Sequence, residues 1–225
     1  MPETTPTAAL AAAGDRATAN WRLIVSPFAG PQRHALRAPR LFVSRDSAFE
    51  LDEDVQLVTV PEPGVSPYQL KGRIEDGRLL VHDPSSLKGT FVNGRRLEPG
   101  READLQSDDC LHLGPVPALV VADLAPHGGP LPPGRYRAAL ELLVQRGSLP
   151  RRRARAALRG LERRGHHPGE ILVLAGLVGP AEWCEAVRGA EAALATWTLL
   201  RRQLAQWLTL ACAAGAAAAR LGGLA

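Results

Sequence analysis

The 225-residue chain is short of several residue types, and each shortage excludes something. It has three cysteines, Cys110, Cys184 and Cys212, far apart and odd in number. A disulfide framework is therefore excluded, and no CxxC or Cys/His spacing for zinc occurs. Cys110 lies in an apolar strand-like run and Cys184 beside Trp183, so both read as small core hydrophobes. Aromatic residues make up 4% of the chain. A spanning helix needs roughly 18–20 apolar residues. The longest uncharged stretch that leans apolar, Leu204 to Ala219, falls short, is rich in alanine and contains Gln206. Gly-x-x-x-x-Gly-Lys-Ser/Thr, Gly-x-Ser-x-Gly and His-Glu-x-x-His are all absent. The chain is accordingly expected to be no enzyme, and no cofactor or metal site is nominated.

Lysine is scarce too: Lys71 and Lys88 stand against 25 arginines. The charge is unevenly divided, with a net of −4 over residues 1–125 and +8 over 126–225. That asymmetry points to two units with different tasks. Residues 1–20 are rich in Ala, Thr and Pro, with Glu3 early and no basic residue before the short apolar run. They read as a disordered tail and not as a signal peptide. With reduced thiols, a cytoplasmic location is the expectation.

The hydrophobic period changes once. From Trp21 to Leu124, short apolar runs alternate with turns, as in Trp21-Arg22-Leu23-Ile24-Val25 and Leu119-Val120-Val121. Asp76-Gly77 and Asn93-Gly94 each separate two such runs and supply the positive φ that tight hairpins require. Many short strands with frequent turns predict a β-sandwich. A Pro/Gly block over residues 125–134 follows and reads as a stiff linker that holds two halves apart. Beyond it the period is helical. Leu140, Leu143 and Val144 share a face that stops at Gly147, and Pro150 opens a helix with Ala154, Ala157, Leu158 and Leu161 on its apolar stripe. Arg151, Arg152, Arg153, Arg155 and Arg159 form its basic patch, the candidate surface for nucleic acid or an acidic partner. The patch has no aromatic residue on which bases would stack, so nucleic acid is disfavoured. The fold class is therefore β + α in two domains: a sandwich (21–124), then an Arg-rich helical domain (135–190) and a long Ala-rich helix (191–225). In that last helix Ala193, Trp197, Leu200, Leu204, Trp207, Ala211 and Ala214 recur at alternating spacings of four and three. Such a seam docks within the chain or pairs with a second copy as a homodimer. Membrane association is a less favoured use of it.

Three stretches carry a more specific signal. They are Val65-Ser66-Pro67-Tyr68-Gln69, then Asp83-Pro84-Ser85-Ser86-Leu87-Lys88-Gly89-Thr90-Phe91-Val92-Asn93-Gly94, then Asp108-Asp109-Cys110-Leu111-His112-Leu113-Gly114. Together they resemble the forkhead-associated (FHA) domain, a β-sandwich that reads phosphothreonine. A phosphate dianion calls for an arginine and short hydroxyl donors. The resemblance puts the phosphate arginine on Arg45 and the phosphate serine on Ser66, with Lys88 as a point charge nearby. Tyr68, Gln69 and Leu87, on the same loops, are the further candidates for partner contacts. The sequence departs from the family pattern at several places. Ser44 stands for the Gly before the arginine, and Gln69 for the His that braces the loop. Leu87 and Lys88 stand for the Thr and Asn that contact phosphate and peptide backbone. Lysine has no acceptor, so it cannot grip a peptide as asparagine does.

In the helical half, Leu142–Leu149 is echoed by Ile171–Val178, with Gly147 and Gly176 as the paired stops. This repeat is similar to the amino-terminal domain of type II secretion and type IV pilus ATPases, some of which bind cyclic-di-GMP. Here neither repeat has the family's arginine in register. The resemblance implies attachment to a bacterial secretion or pilus machine. Binding of cyclic-di-GMP or nucleic acid by the Arg-rich helices is the alternative function to a protein-binding adaptor.

Overall fold

A computed structural model describes residues 20–123 and 133–222, with side chains as far as Arg201. Residues 1–19 of the expected tail, residues 125–132 of the expected linker, and the side chains of Leu204–Ala219, Cys212 included, lie outside the described residues.

Eleven strands are described. They are β1 (Trp21–Val25), β2 (Gln32–Ala35), β3 (Arg40–Ser44), β4 (Val55–Thr59), β5 (Leu70–Glu75), β6 (Arg78–His82), β7 (Thr90–Val92), β8 (Arg95–Arg96), β9 (Ala103–Leu105), β10 (Cys110–Leu113) and β11 (Val116–Ala122). They form two sheets, a first in the order β2-β1-β11-β10-β7-β8 and a second in the order β4-β3-β5-β6-β9. All pairs are antiparallel except β3 with β4. The facing sides interdigitate Leu23, Val25, Leu41, Val43, Leu70, Leu79, Val81, Leu111, Leu113 and Val120 in one core. This is the sandwich that the short runs predict. Both dipeptide turns have the expected backbone, with φ of 49° and 78° at Asp76 and Gly77 and of 51° and 80° at Asn93 and Gly94.

The two sheets differ on their outer sides. In β5 burial alternates, so Lys71, Arg73 and Glu75 face water. In β1 every residue is buried, and in β11 nearly every one. A strand buried on both faces needs a second covering layer. Helices α1 (Pro133–Gln145), α2 (Arg151–Arg164), α3 (Pro168–Leu174) and α4 (Pro180–Gly222) provide it. Ile24, Cys110, Leu119 and Val121 on the outer side of the first sheet share one apolar cluster with Tyr136, Leu140, Leu143, Leu172, Trp183 and Val187. The expectation of two halves held apart is thereby corrected: the helices lie directly on the sandwich. The physical reason is the apolar outer side of β1 and β11, which water would otherwise meet.

The internal repeat is visible in three dimensions. Leu143 and Leu172 are buried at matching positions, and each carbonyl accepts from the N–H five residues on, Ser148 and Leu177, both at 3.0 Å. Gly147 (φ 77°) and Gly176 (φ 63°) close the two turns in the left-handed conformation. Leu149 and Val178, Ala154 and Trp183, and Ala157 and Ala186 then occupy equivalent buried places. No break separates a helical domain from a terminal helix near residue 190, because α4 is continuous from Pro180. Among the residues whose side chains are described, its buried side ends at Ala190, and residues 191–201 are exposed. Among the described residues no helix is long and apolar enough to cross a membrane.

A buried polar knot fixes the helices to the first sheet. Asp108 sits in the turn between β9 and β10 with φ 72° and is almost fully buried. Its Oδ1 accepts from Trp183 Nε1 at 2.7 Å and lies 3.1 Å from His167 Nε2. Its Oδ2 accepts from the Tyr136 hydroxyl at 3.0 Å and pairs with Arg135. His167 also caps α3, its Nδ1 accepting from Glu170 N–H at 3.3 Å. Burial opposes ionisation of Asp108, but His167, Arg135 and the Trp183 indole outweigh it and hold the carboxyl at about 2. Burial and the Asp108 charge push the Tyr136 hydroxyl up, so it stays a donor. Gly169 has no Cβ because the Trp183 indole occupies that space. A second tie runs from Arg22 on β1, 8% exposed, to Glu170 at 2.9 Å and Asp123 at 2.5 Å.

Candidate functional site

One end of the sandwich gathers the loops after β3, before β5, between β6 and β7, and between β10 and β11. Backbone hydrogen bonds join them. Arg45 N–H donates to Ser66 O at 3.1 Å, and Gly114 N–H donates to Gly89 O at 3.0 Å. A Cβ on Gly114 would collide with the Gly64 carbonyl, so this close approach depends on glycine.

Gln69 organises the end from inside. It is fully buried, with Oε1 accepting from Ser66 N–H at 2.9 Å. Its Nε2 lies 3.1 Å from Ser86 Oγ, 3.2 Å from Gly89 O and 3.0 Å from Thr90 Oγ1. Asp83 holds the next segment, accepting from Ser86 N–H at 2.5 Å and from its hydroxyl at 2.6 Å. Ser85 (φ 77°) and Gly89 (φ 82°) turn the loop outward between these anchors. Gln69 therefore does not touch a partner, as its grouping with Tyr68 and Leu87 implied. It takes over the bracing that the sequence pattern assigns to histidine, since an amide both donates and accepts.

The candidate binding residues stand on this frame. Ser66 is nearly buried, and its Oγ accepts from Leu87 N–H at 2.9 Å, leaving the hydroxyl proton free to donate. Arg45 is exposed and its Nε donates to Asp46 Oδ1 at 3.0 Å, while Asp46 N–H donates to the buried Ser44 Oγ at 2.8 Å. Leu87 is 85% exposed and Tyr68 56% exposed. Lys88 is also exposed. Arg45, Ser66 and Lys88 are thus brought to the same end. Tyr68 leans on Phe42 and Phe49, with ring centroids 5.7 and 5.5 Å away.

A further cation was not foreseen. The Arg96 side chain lies over Gly89, in the space that a Cβ there would enter. Opposite Phe91 in the β7–β8 hairpin, its register reaches this loop. The Asn-Gly turn two residues earlier is the signal that fixes that register. Asn93 itself is at the far end of the sandwich, where its Oδ1 accepts from Cys110 N–H at 2.9 Å and from Arg188 at 2.7 Å.

The other nominated surface lies elsewhere. Arg151, Arg152, Arg153, Arg155 and Arg159 are exposed on α2, away from the loop end. They make no ion pair with other described residues. Among the described residues no group of three or more His, Cys, Asp or Glu side chains is arranged to hold a metal ion.

Residues 45–114 match the FHA domain family model. The match begins at Arg45 and ends at Gly114, the two loops that meet at this end. The chain is also similar to several solved FHA domains. An FHA domain described for its phosphothreonine-dependent interactions is 26% identical, covering 45% of this chain and 95% of its own, with a TM-score of 0.36. The FHA domain of the CT664 protein from Chlamydia trachomatis is 22% identical over 45% of this chain and 96% of its own, with a TM-score of 0.39. The FhaA FHA domain, solved with the intracellular domain of Rv3910, is 23% identical over 44% and 98%, with a TM-score of 0.37. Among curated proteins none matches the chain. The helices lie outside the family match.

Proposed function

We propose that the chain is a non-catalytic adaptor whose FHA-type loop end binds a protein partner carrying phosphothreonine. Arg45 supplies the charge-assisted contact to the phosphate, the Ser66 hydroxyl donates to a phosphate oxygen, and Lys88 adds a point charge. Leu87 and Tyr68 meet the residues flanking the phosphothreonine. The helices then join the recognition end to a larger assembly. One observation carries the reading: Ser66 is bonded through its carbonyl to Arg45 N–H and through its hydroxyl oxygen to Leu87 N–H, which brings cation, hydroxyl and exposed loop together.

With Lys88 where the family pattern has asparagine, the peptide backbone lacks an amide partner. Selectivity then rests on the phosphate more than on the flanking sequence. The test is titration of the full chain with a degenerate phosphothreonine peptide library and its unphosphorylated twin. Binding is expected to the phosphorylated library only. Arg45→Ala is expected to weaken it about 10–100-fold with no change in melting temperature, in line with the roughly 1.5–3 kcal/mol of a hydrogen bond to a charged group. Equal binding of both libraries, or full affinity in Arg45→Ala, contradicts the reading.

A further inference from the structure

The outer side of the second sheet carries more than surface charge. Phe42 on β3, Lys71 on β5 and His82 on β6 are cross-strand neighbours in one row, two residues in from the loop end. The loop of residues 45–54, which joins β3 to β4, folds over this row. Between loop and sheet lies a cavity of about 450 Å³, within the range of ligand pockets. One wall is aromatic. Phe49 from the loop stands edge-on to Phe42, with ring centroids 5.0 Å apart and planes at 89°. Tyr68 closes the triangle, 5.7 Å from Phe42 and 5.5 Å from Phe49. Leu51 and Leu80 add to the apolar lining.

Most of the charges around the cavity are paired. Arg40 is held by Asp52 at 2.8 Å and Asp54 at 2.5 Å, and Arg73 by Glu75 at 3.2 Å and by Glu102. Lys71 is exposed and makes no ion pair with another described residue. Its neighbour in the row adds no negative charge. Burial and the Lys71 and Arg73 charges lower the His82 ring, which is neutral at pH 7. Glu50 in the loop is unpaired as well, so an anion is welcome beside Lys71 and opposed beside the loop. The cavity thus offers a ring-lined space with one free cation at its floor. We propose that it is a second recognition pocket, which takes an aromatic side chain of a protein partner with an adjacent acidic residue set against Lys71. Its position argues for a peptide segment as occupant. Tyr68 lines the cavity and follows Ser66 by two residues, so a segment held at the loop end reaches the cavity within a few residues. The pocket needs no phosphate and stands or falls separately from the reading above.

The experiment titrates the full chain with acetyl-Trp-Glu-amide and follows backbone amide shifts. The expected result is about millimolar affinity, with perturbations at Phe49, Tyr68, Lys71 and His82. Acetyl-Trp-Gln-amide is expected to bind about 3-fold more weakly, because it lacks the charge that meets Lys71. Acetyl-Ala-Glu-amide, which has no ring to bury, is expected to show no binding. In Lys71→Gln, a change at an exposed side chain, the two tryptophan peptides should bind alike. The proposal is overturned by perturbations confined to other residues or by none. It is equally overturned by equal binding of the alanine peptide, or by equal binding of the two tryptophan peptides to the unaltered chain. A preference for glutamate that survives in Lys71→Gln overturns it too. The peptides carry no phosphate, so failure of the pocket and failure of phosphothreonine binding are read separately.

Discussion

The two outer sides of the sandwich are built on opposite plans. On the second sheet, Lys71, Arg73, Glu75, Arg78 and Asp104 face water, where Arg73 pairs with Glu75 and Arg78 with Asp104 at 2.8 Å. On the first sheet, Ile24, Leu119 and Val121 lie under helices, and the buried charges between the layers, around Asp108 and Arg22, are tightly partnered. One sheet ends at solvent, and the other continues into a second core. The helices are therefore part of what makes the sandwich stable, and the first sheet without them would expose a broad apolar patch. The loop end that carries Arg45 and Ser66 belongs to neither outer side, which leaves it free while the helices are docked.

The largest effect is expected at the junction. Trp183→Ala empties the centre of the second core and removes a donor from Asp108, at a cost of about 3–5 kcal/mol in denaturant unfolding. If that loss comes with unchanged phosphopeptide affinity, junction and recognition end are independent. A parallel loss of affinity would break the comparison by coupling them.

Acid sharpens it next. Asp108 titrates at about 2 when folded, below its ordinary 3.8. Its contribution, roughly 2 kcal/mol, is fully present above the ordinary value and is lost as the pH falls through the folded one. Stability measured from pH 5 downward should show this limb, and Asp108→Asn should lack it and be less stable at pH 7. On the open side Asp54 is also lowered, mainly by its hydrogen bond from Arg40, but it is exposed. Its effect should vanish in high salt, whereas that of Asp108 should persist. The smallest change is expected from Arg73→Ala, which removes surface pairs with Glu75 and Glu102 and should cost under about 1 kcal/mol.

Much of this contrast was legible in the sequence. The apolar runs of β1, interrupted by Arg22 alone, and of β11 already differ from the alternation of β5, and burial on both faces is what such runs mean. The Asp-Gly and Asn-Gly turns and the glycine-stopped helical repeat are local signals, and each appears in the structure as read. The roles that were missed depend on distant partners. The role of Asp108 has no local signature because Arg135, Tyr136, His167 and Trp183 come from helices that no local pattern ties to it. Gln69 looked like a surface residue because its three acceptors, on Ser86, Gly89 and Thr90, lie two strands further along the chain. The stiff Pro/Gly block suggested separation, since composition reports stiffness and not the direction in which a chain turns back.

The most direct measurement is an amide chemical-shift titration of the full chain with a phosphothreonine peptide from the selected library. The account expects perturbations at Arg45, Ser66, Leu87 and Lys88, with the Trp183 indole and the α2 arginines unmoved. Perturbations centred on Arg151 to Arg159, or none that depend on the phosphate, would contradict it.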